Sequence, residues 1–191
     1  MNSKSADEPT IKTLKVQIPT PEKLAPYGQV LGYHPNIDPM PIEFYGGAAE
    51  VRRVADFISD EQTEMPVVSV SRRPFEMRYA ERHFKHTQVF ISLGSKPFLA
   101  AFAPPNDKEM PDLEDFEAFL FDGTVGFMMH IGTWHDFPYA IFDSTQMMVV
   151  LRKEATDGLV KDNMIKDEAE GPDLQKRDML ARLNTLIRFE L

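Results

Sequence analysis

The chain contains no cysteine in its 191 residues. That excludes a disulfide framework, a thiol nucleophile and a thiolate metal site, so any metal must be held by His, carboxylate or amide ligands. Basic residues are in deficit: 21 Lys and Arg stand against 30 Asp and Glu, for a formal charge of -9. No run of basic residues stands apart, so nucleic acid and anionic membranes are not expected partners. Long apolar runs are absent as well. None approaches the length of a membrane span, and the opening MNSKSADEPT lacks the apolar core of a secretory signal. A soluble, cytoplasmic protein is the expectation.

The chain is rich in short strand-like stretches. After a polar tail over residues 1–10, IKTLKVQI alternates apolar and polar side chains as an edge or half-buried strand does. From residue 67 the stretches VVSVS, FEMRYAERH, QVFISL, FLAAFA, VGFMMH, YAIF and MMVVLR follow one another, separated by Gly, Pro, Asp or Asn. That rhythm predicts an antiparallel barrel or sandwich, placed here over residues 11–155. PDLEDFEAFL predicts a short helix near 112–120, capped by Asp112, with Leu113, Phe116 and Leu120 on one face and Gly123 at its end. Leu174, Leu180, Leu183 and Ile187 recur at roughly helical spacing and predict a C-terminal amphipathic helix within a helical extension at 156–191. That helix would form a dimer contact or a lid, or pack on the domain's own surface.

Two stretches carry candidate chemistry. In AERHFKHTQVFISLG, strand alternation puts Tyr79, Glu81 and His83 on one face and Arg78, Ala80 and Arg82 on the other. Gln88 lies on the next strand. In GFMMHIGTWHDFP, His135 follows a glycine turn at the start of another strand. Glu81, His83, Gln88 and His135 are therefore candidate ligands for a divalent transition metal. His130, at a turn, is a candidate proton carrier, and Arg72 a candidate carboxylate clamp. Trp134 would fill the core or stack on a ligand. His86 and His34 read as exposed or rim residues.

The frame Glu81-x-His83-x-x-x-x-Gln88 with Gly94, followed by His130-x-Gly132-x-x-His135, resembles the two motifs of the cupins, with Glu81, Gln88 and His130 replacing the usual residues. Within them, ERHFKHTQVFISL, PDLEDFEAFL and GFMMHIGTWHDFP are similar to the ureidoglycolate lyase family of allantoin (purine) catabolism, as is LAPYGQV near the start. The similarity runs in order from about Lys15 to about Arg152. It implies a cupin-like double-stranded antiparallel β-barrel and a lyase that splits ureidoglycolate into glyoxylate and urea. It also implies a metal held by Glu81, His83, Gln88 and His135, with His130 and Glu81 moving protons and Arg72, Gln88 and Trp134 holding a small carboxylate substrate. A homodimer is expected. Met128, Met129, Ile131 and Asp136 depart from the family pattern towards fewer polar groups, which leaves two rivals in play. One is a lyase, isomerase or metal-dependent oxygenase for a less polar oxyacid; the other is a non-catalytic small-molecule binding barrel.

Overall fold

The computed structural model describes residues 8–32, 34–42, 45–161 and 168–191. Most of the expected polar tail, residues 1–7, lies outside the described residues, and Thr10 already belongs to the first strand. In chain order the strands begin with β1 (Thr10–Gln17), β2 (Gly28–Leu31), β3 (Thr63–Glu64), β4 (Val67–Ser71), β5 (Glu76–Met77), β6 (Tyr79–Arg82), β7 (Gln88–Leu93) and β8 (Phe98–Ala103). They continue with β9 (Glu117–Phe121), β10 (Gly126–Met129), β11 (Trp134–His135), β12 (Tyr139–Ala140), β13 (Ser144–Arg152), β14 (Ala169–Gly171), β15 (Leu174–Asp178) and β16 (Thr185–Glu190). Three short helices accompany them: α1 (Pro21–Leu24), α2 (Lys153–Lys161) and α3 (Met179–Leu183).

The strands form two curled sheets. The larger has the order β14-β15-β6-β11-β8-β9-β1-β16-β5, with β12 also on β8; the smaller has the order β2-β10-β7-β13-β3, with β4 on β13. Pairing is antiparallel except along β1, which runs parallel to β16 and then to β9. Only Arg78 separates β5 from β6, so one end of the large sheet runs straight into a strand near its other end, and the sheet curls back on itself. The fold is mostly β, with curled sheets, as the strand rhythm predicts.

The large sheet is buried on both faces, and β8 shows why its sequence, FLAAFA, can be apolar throughout. Phe98, Ala100 and Phe102 point between the two sheets with Phe90, Phe119, Phe121, Phe127 and Val149. Leu99, Ala101 and Ala103 point the other way, into a second core with Trp134, Tyr139, Met179, Ile187 and Phe189. A strand buried on both faces reads as a continuous apolar run rather than an alternating one.

Two expected helices are replaced by shorter ones followed by strands. Asp112 does cap a helical turn, its side chain accepting from Glu114 N, but the turn covers only Leu113–Asp115 and Phe116 is extended. From there Ala118 and Phe119 alternate between the two cores, and burying aromatic rings outweighs the helical spacing of Leu113, Phe116 and Leu120. The C-terminal extension is likewise not one helix. Asp178 caps α3 by accepting from Ala181 N, and Asn184, left-handed at φ 49°, ends it after five residues. Thr185, Ile187 and Phe189 then alternate inward along β16, while β15 pairs with β6.

These last strands are structural members of the sheet, not a covering. Deleting residues 185–191 should therefore prevent cooperative folding rather than merely loosen a surface helix. Circular dichroism and a thermal melt check this; loss of the cooperative transition is the expected result.

Candidate functional site

The register of the large sheet builds the site. His135 on β11 pairs directly with Glu81 on β6, and Lys176 on β15 pairs with Glu81 from the other side, so the three side chains share one face. The alternation of β6 follows the sequence expectation: Ala80 belongs to the outer core and Arg82 lies over the Trp134 ring at 4.3 Å, while Glu81 and His83 face inward. Gly132, at φ 83°, makes the turn before β11, and its N–H donates to the His83 carbonyl at 2.7 Å. One backbone hydrogen bond thus joins the two motif stretches.

Glu81, His83 and His135 bring one ligand atom each to within 4.8 Å of one another. Glu81 Oε1 lies 3.6 Å from His135 Nε2, and the His83 and His135 ring centres are 5.4 Å apart. His83 Nδ1 lies 3.0 Å from the Asp173 carbonyl, and His135 Nδ1 lies 2.9 Å from the Thr133 carbonyl. A carbonyl only accepts, so in both rings Nδ1 carries the proton and donates. Each Nε2 is then a bare lone pair, and both are buried without a partner among the described residues, as is Gln88 Oε1. Imidazoles oriented by Nδ1–H donation to a carbonyl, with unsatisfied Nε2 atoms converging beside a carboxyl, fit the donor set of a divalent transition metal.

Burial sets the protonation states. It drives His83 down to about 3, with the neighbouring His135 and His86 rings adding to the effect, and drives His135 down to about 4. Both are neutral near pH 7. Glu81 is raised to about 7, chiefly by burial and also by the charge of Asp136, with Lys176 opposing the rise. Asp136 is itself raised by burial, against the pull of Arg73; it accepts from Tyr139 Oη at 2.8 Å and lies 3.5 Å from Arg73 Nη2.

A cavity of about 370 Å³ opens onto Glu81. Tyr79, Asp136 and Lys176 line it on the sheet side, and Phe137 with Thr156, Leu159 and Val160 of α2 forms the rest of its wall. The Lys176 ammonium lies 4.4 Å from the centre of the Tyr79 ring.

Other sequence candidates lie elsewhere. His130 sits at a separate cavity of about 270 Å³ beside His34, its Nε2 lying 3.3 Å from the Ala25 carbonyl. Parity explains this, because Met129 takes the inward position and His130 the next one. Arg72 donates to the Ile141 carbonyl and lies over the Phe75 ring, away from the cluster; its neighbour Arg73 reaches Asp136 instead. Trp134 is fully buried in the outer core, on the opposite face from His135, and donates to Asn106 Oδ1 at 3.3 Å.

His86 is not a rim residue: it is buried, and its Nδ1 lies 2.8 Å from Asp173 Oδ2. Asp173 Oδ1 also accepts from Phe84 N and Lys85 N, at 2.9 and 2.7 Å. Asp173 and Lys176 went unseen in the sequence because they fall in the stretch read as a helical extension. His86 could have been found from its place three residues after His83.

Ionising a buried Glu81 costs stability, and the sign follows from its raised value. Below about pH 4.5 the carboxyl is protonated in both folded and unfolded chains; above about 7 the folded chain carries the full penalty. Glu81→Gln should therefore stabilise the protein at pH 8 by about 1–3 kcal/mol and have little effect at pH 4. Urea titrations at the two pH values check this.

Comparison with known proteins converges on one family. A family model described as ureidoglycolate lyase matches residues 11–172. A ureidoglycolate lyase of Pseudomonas aeruginosa (strain LESB58) is 27% identical over 167 residues, which is 83% of this chain and 94% of that one. One from Azotobacter vinelandii (strain DJ / ATCC BAA-1303) is 35% identical over 82 residues, 43% of this chain and 48% of its own. Among solved structures, RmlC from Streptococcus suis in complex with dTDP-D-xylose overlaps with a TM-score of 0.34 at 8% identity, covering 49% of this chain and 47% of that one.

Proposed function

The chain belongs to the ureidoglycolate lyase family, and we propose on that premise that it cleaves ureidoglycolate into glyoxylate and urea at the Glu81–His83–His135 site. The observation that carries the reading is the buried Glu81 carboxyl, which stands beside the His83 and His135 imidazoles and opens onto a cavity with room for a small oxyacid.

The reaction needs few groups. The carbon bearing both OH and NH loses the hydroxyl proton as its carbonyl forms, the C–N bond breaks, and the departing nitrogen gains a proton. A group near pH 7 serves both transfers best, because both of its states are populated, and Glu81 is that group. We assign it the proton transfer. Lys176, cross-strand from Glu81, supplies the positive charge for the substrate carboxylate. Since His130 and Arg72 lie outside this cavity, these roles pass to Glu81 and Lys176.

The same donors suit a metal. Glu81, His83, His135 and Gln88 would hold a divalent transition ion, which when bound would polarise the substrate's hydroxyl and carboxylate oxygens as a Lewis acid. The proposal extends to a homodimer in the cytoplasm, acting in allantoin catabolism. No helix among the described residues is long and apolar enough to cross a membrane.

Two outcomes test the site. Glu81→Gln should lower kcat for glyoxylate release from ureidoglycolate by about 10²–10⁴-fold with a much smaller change in KM, since a proton carrier acts in the transition state. Metal affinity should rise with pH up to about 7 and then level off, because Glu81 must lose its proton to ligate while the two imidazoles are already neutral. Calorimetric titration of the metal-free protein with Zn²⁺ at pH 6 and pH 8 reads this, and His83→Ala should weaken binding at both.

A further inference from the structure

The cavity in front of Glu81 is polarised from one end to the other. Its ionisable groups, Glu81, Asp136 and Lys176, lie on the sheet side, while Phe137, Leu159 and Val160 supply hydrocarbon and Thr156 of α2 a single hydroxyl. At about 370 Å³ it also exceeds the space a substrate of ureidoglycolate's size fills. Ureidoglycolate bears donors or acceptors at both ends. With its carboxylate and hydroxyl at the Glu81 and Lys176 end, its distal –NH2 would point at a largely apolar wall where the Thr156 hydroxyl offers one partner, and would lose most of its hydrogen bonds to water. An apolar group on that nitrogen would instead bury carbon against carbon.

We propose, resting on the lyase reading above, that the preferred substrates are ureidoglycolates whose distal nitrogen carries an apolar substituent. The cleavage is unchanged: the hydroxyl proton is lost, the C–N bond breaks, the near nitrogen takes up a proton, and the products are glyoxylate and an N-substituted urea. No oxidant or co-reactant is needed. The specificity-determining residues are Leu159 and Val160, which α2 presents to the cavity, together with Phe137. The apolar departures at Met128 and Met129 are not the source of this preference, because neither lines the cavity and Met129 packs in the core between the sheets.

The test compares glyoxylate release from ureidoglycolate and N′-butylureidoglycolate by the purified full-length protein. The butyl compound should show a kcat/KM at least about tenfold higher, and Leu159→Ser and Val160→Ser should each reduce that ratio. Val160 is 71% exposed, so its variant folds even if the Leu159 variant does not. A ratio of one or below overturns the inference and leaves the lyase reading standing. If neither compound is turned over, the lyase reading fails, and calorimetric binding of ureidoacetate and N′-butylureidoacetate, which lack the hydroxyl and cannot be cleaved, decides separately. Tighter binding of the butyl analogue supports the apolar specificity; equal or weaker binding overturns it.

Discussion

The His83 side of the site depends on one buried carboxylate, that of Asp173. Its side chain accepts two backbone N–H groups and the His86 ring, and its own carbonyl accepts from His83. The guanidinium of buried Arg152 lies 3.6 Å from it. A carboxylate saturated in this way stays ionised despite its burial, and the His86 contact is a main cause of its lowered value. The turn between β6 and β7 is thereby fixed to the hairpin of β14 and β15, and His83 has one tautomer and one orientation. Neutralising Asp173 would leave several buried donors unsatisfied at once, which is costlier than losing any single hydrogen bond.

The second organising constraint is the double burial of the large sheet. Because both faces are covered, a shift of one residue along a strand exchanges the contents of two cores, not of a core and solvent. Trp134 and His135 illustrate the result. Adjacent in sequence, they serve different compartments: the indole packs under Arg82 while the imidazole faces Glu81. A functional side chain placed this way is held by the packing of its neighbour on the far face, so the outer core positions the site without touching a ligand.

Much of this was legible in the sequence, for identifiable reasons. Strand alternation placed Glu81 and His83 on one face, and the spacing from Gly132 to His135 brought the second stretch to meet them. The helical readings failed where two periods competed: the apolar positions of 113–120 and 174–187 fit helical spacing loosely, but Phe119, Ile187 and Phe189 have cores waiting at period two. Arg72 and His130 lie away from the Glu81 cavity because residue type alone does not fix which face of a strand or turn a side chain takes. Asp173 left no local signal, since its partners lie some ninety residues earlier. Long-range polar pairings of this kind are written in the fold rather than in any window of sequence.

The curl of the large sheet also bears on how the chain reaches this structure. β16 lies between β1 and β5, with Thr10 beside Thr185 and Met77 beside Ile187. During synthesis β1 emerges early, and its partner β16 follows every other described strand. Until then β1 has an open edge, and the outer core lacks Ile187 and Phe189. Loop-closure entropy across nearly the whole chain must be overcome before those contacts form, which makes for a slow final step. Until β16 pairs, the large sheet stays unsealed, and an early strand edge is open to other chains for that interval.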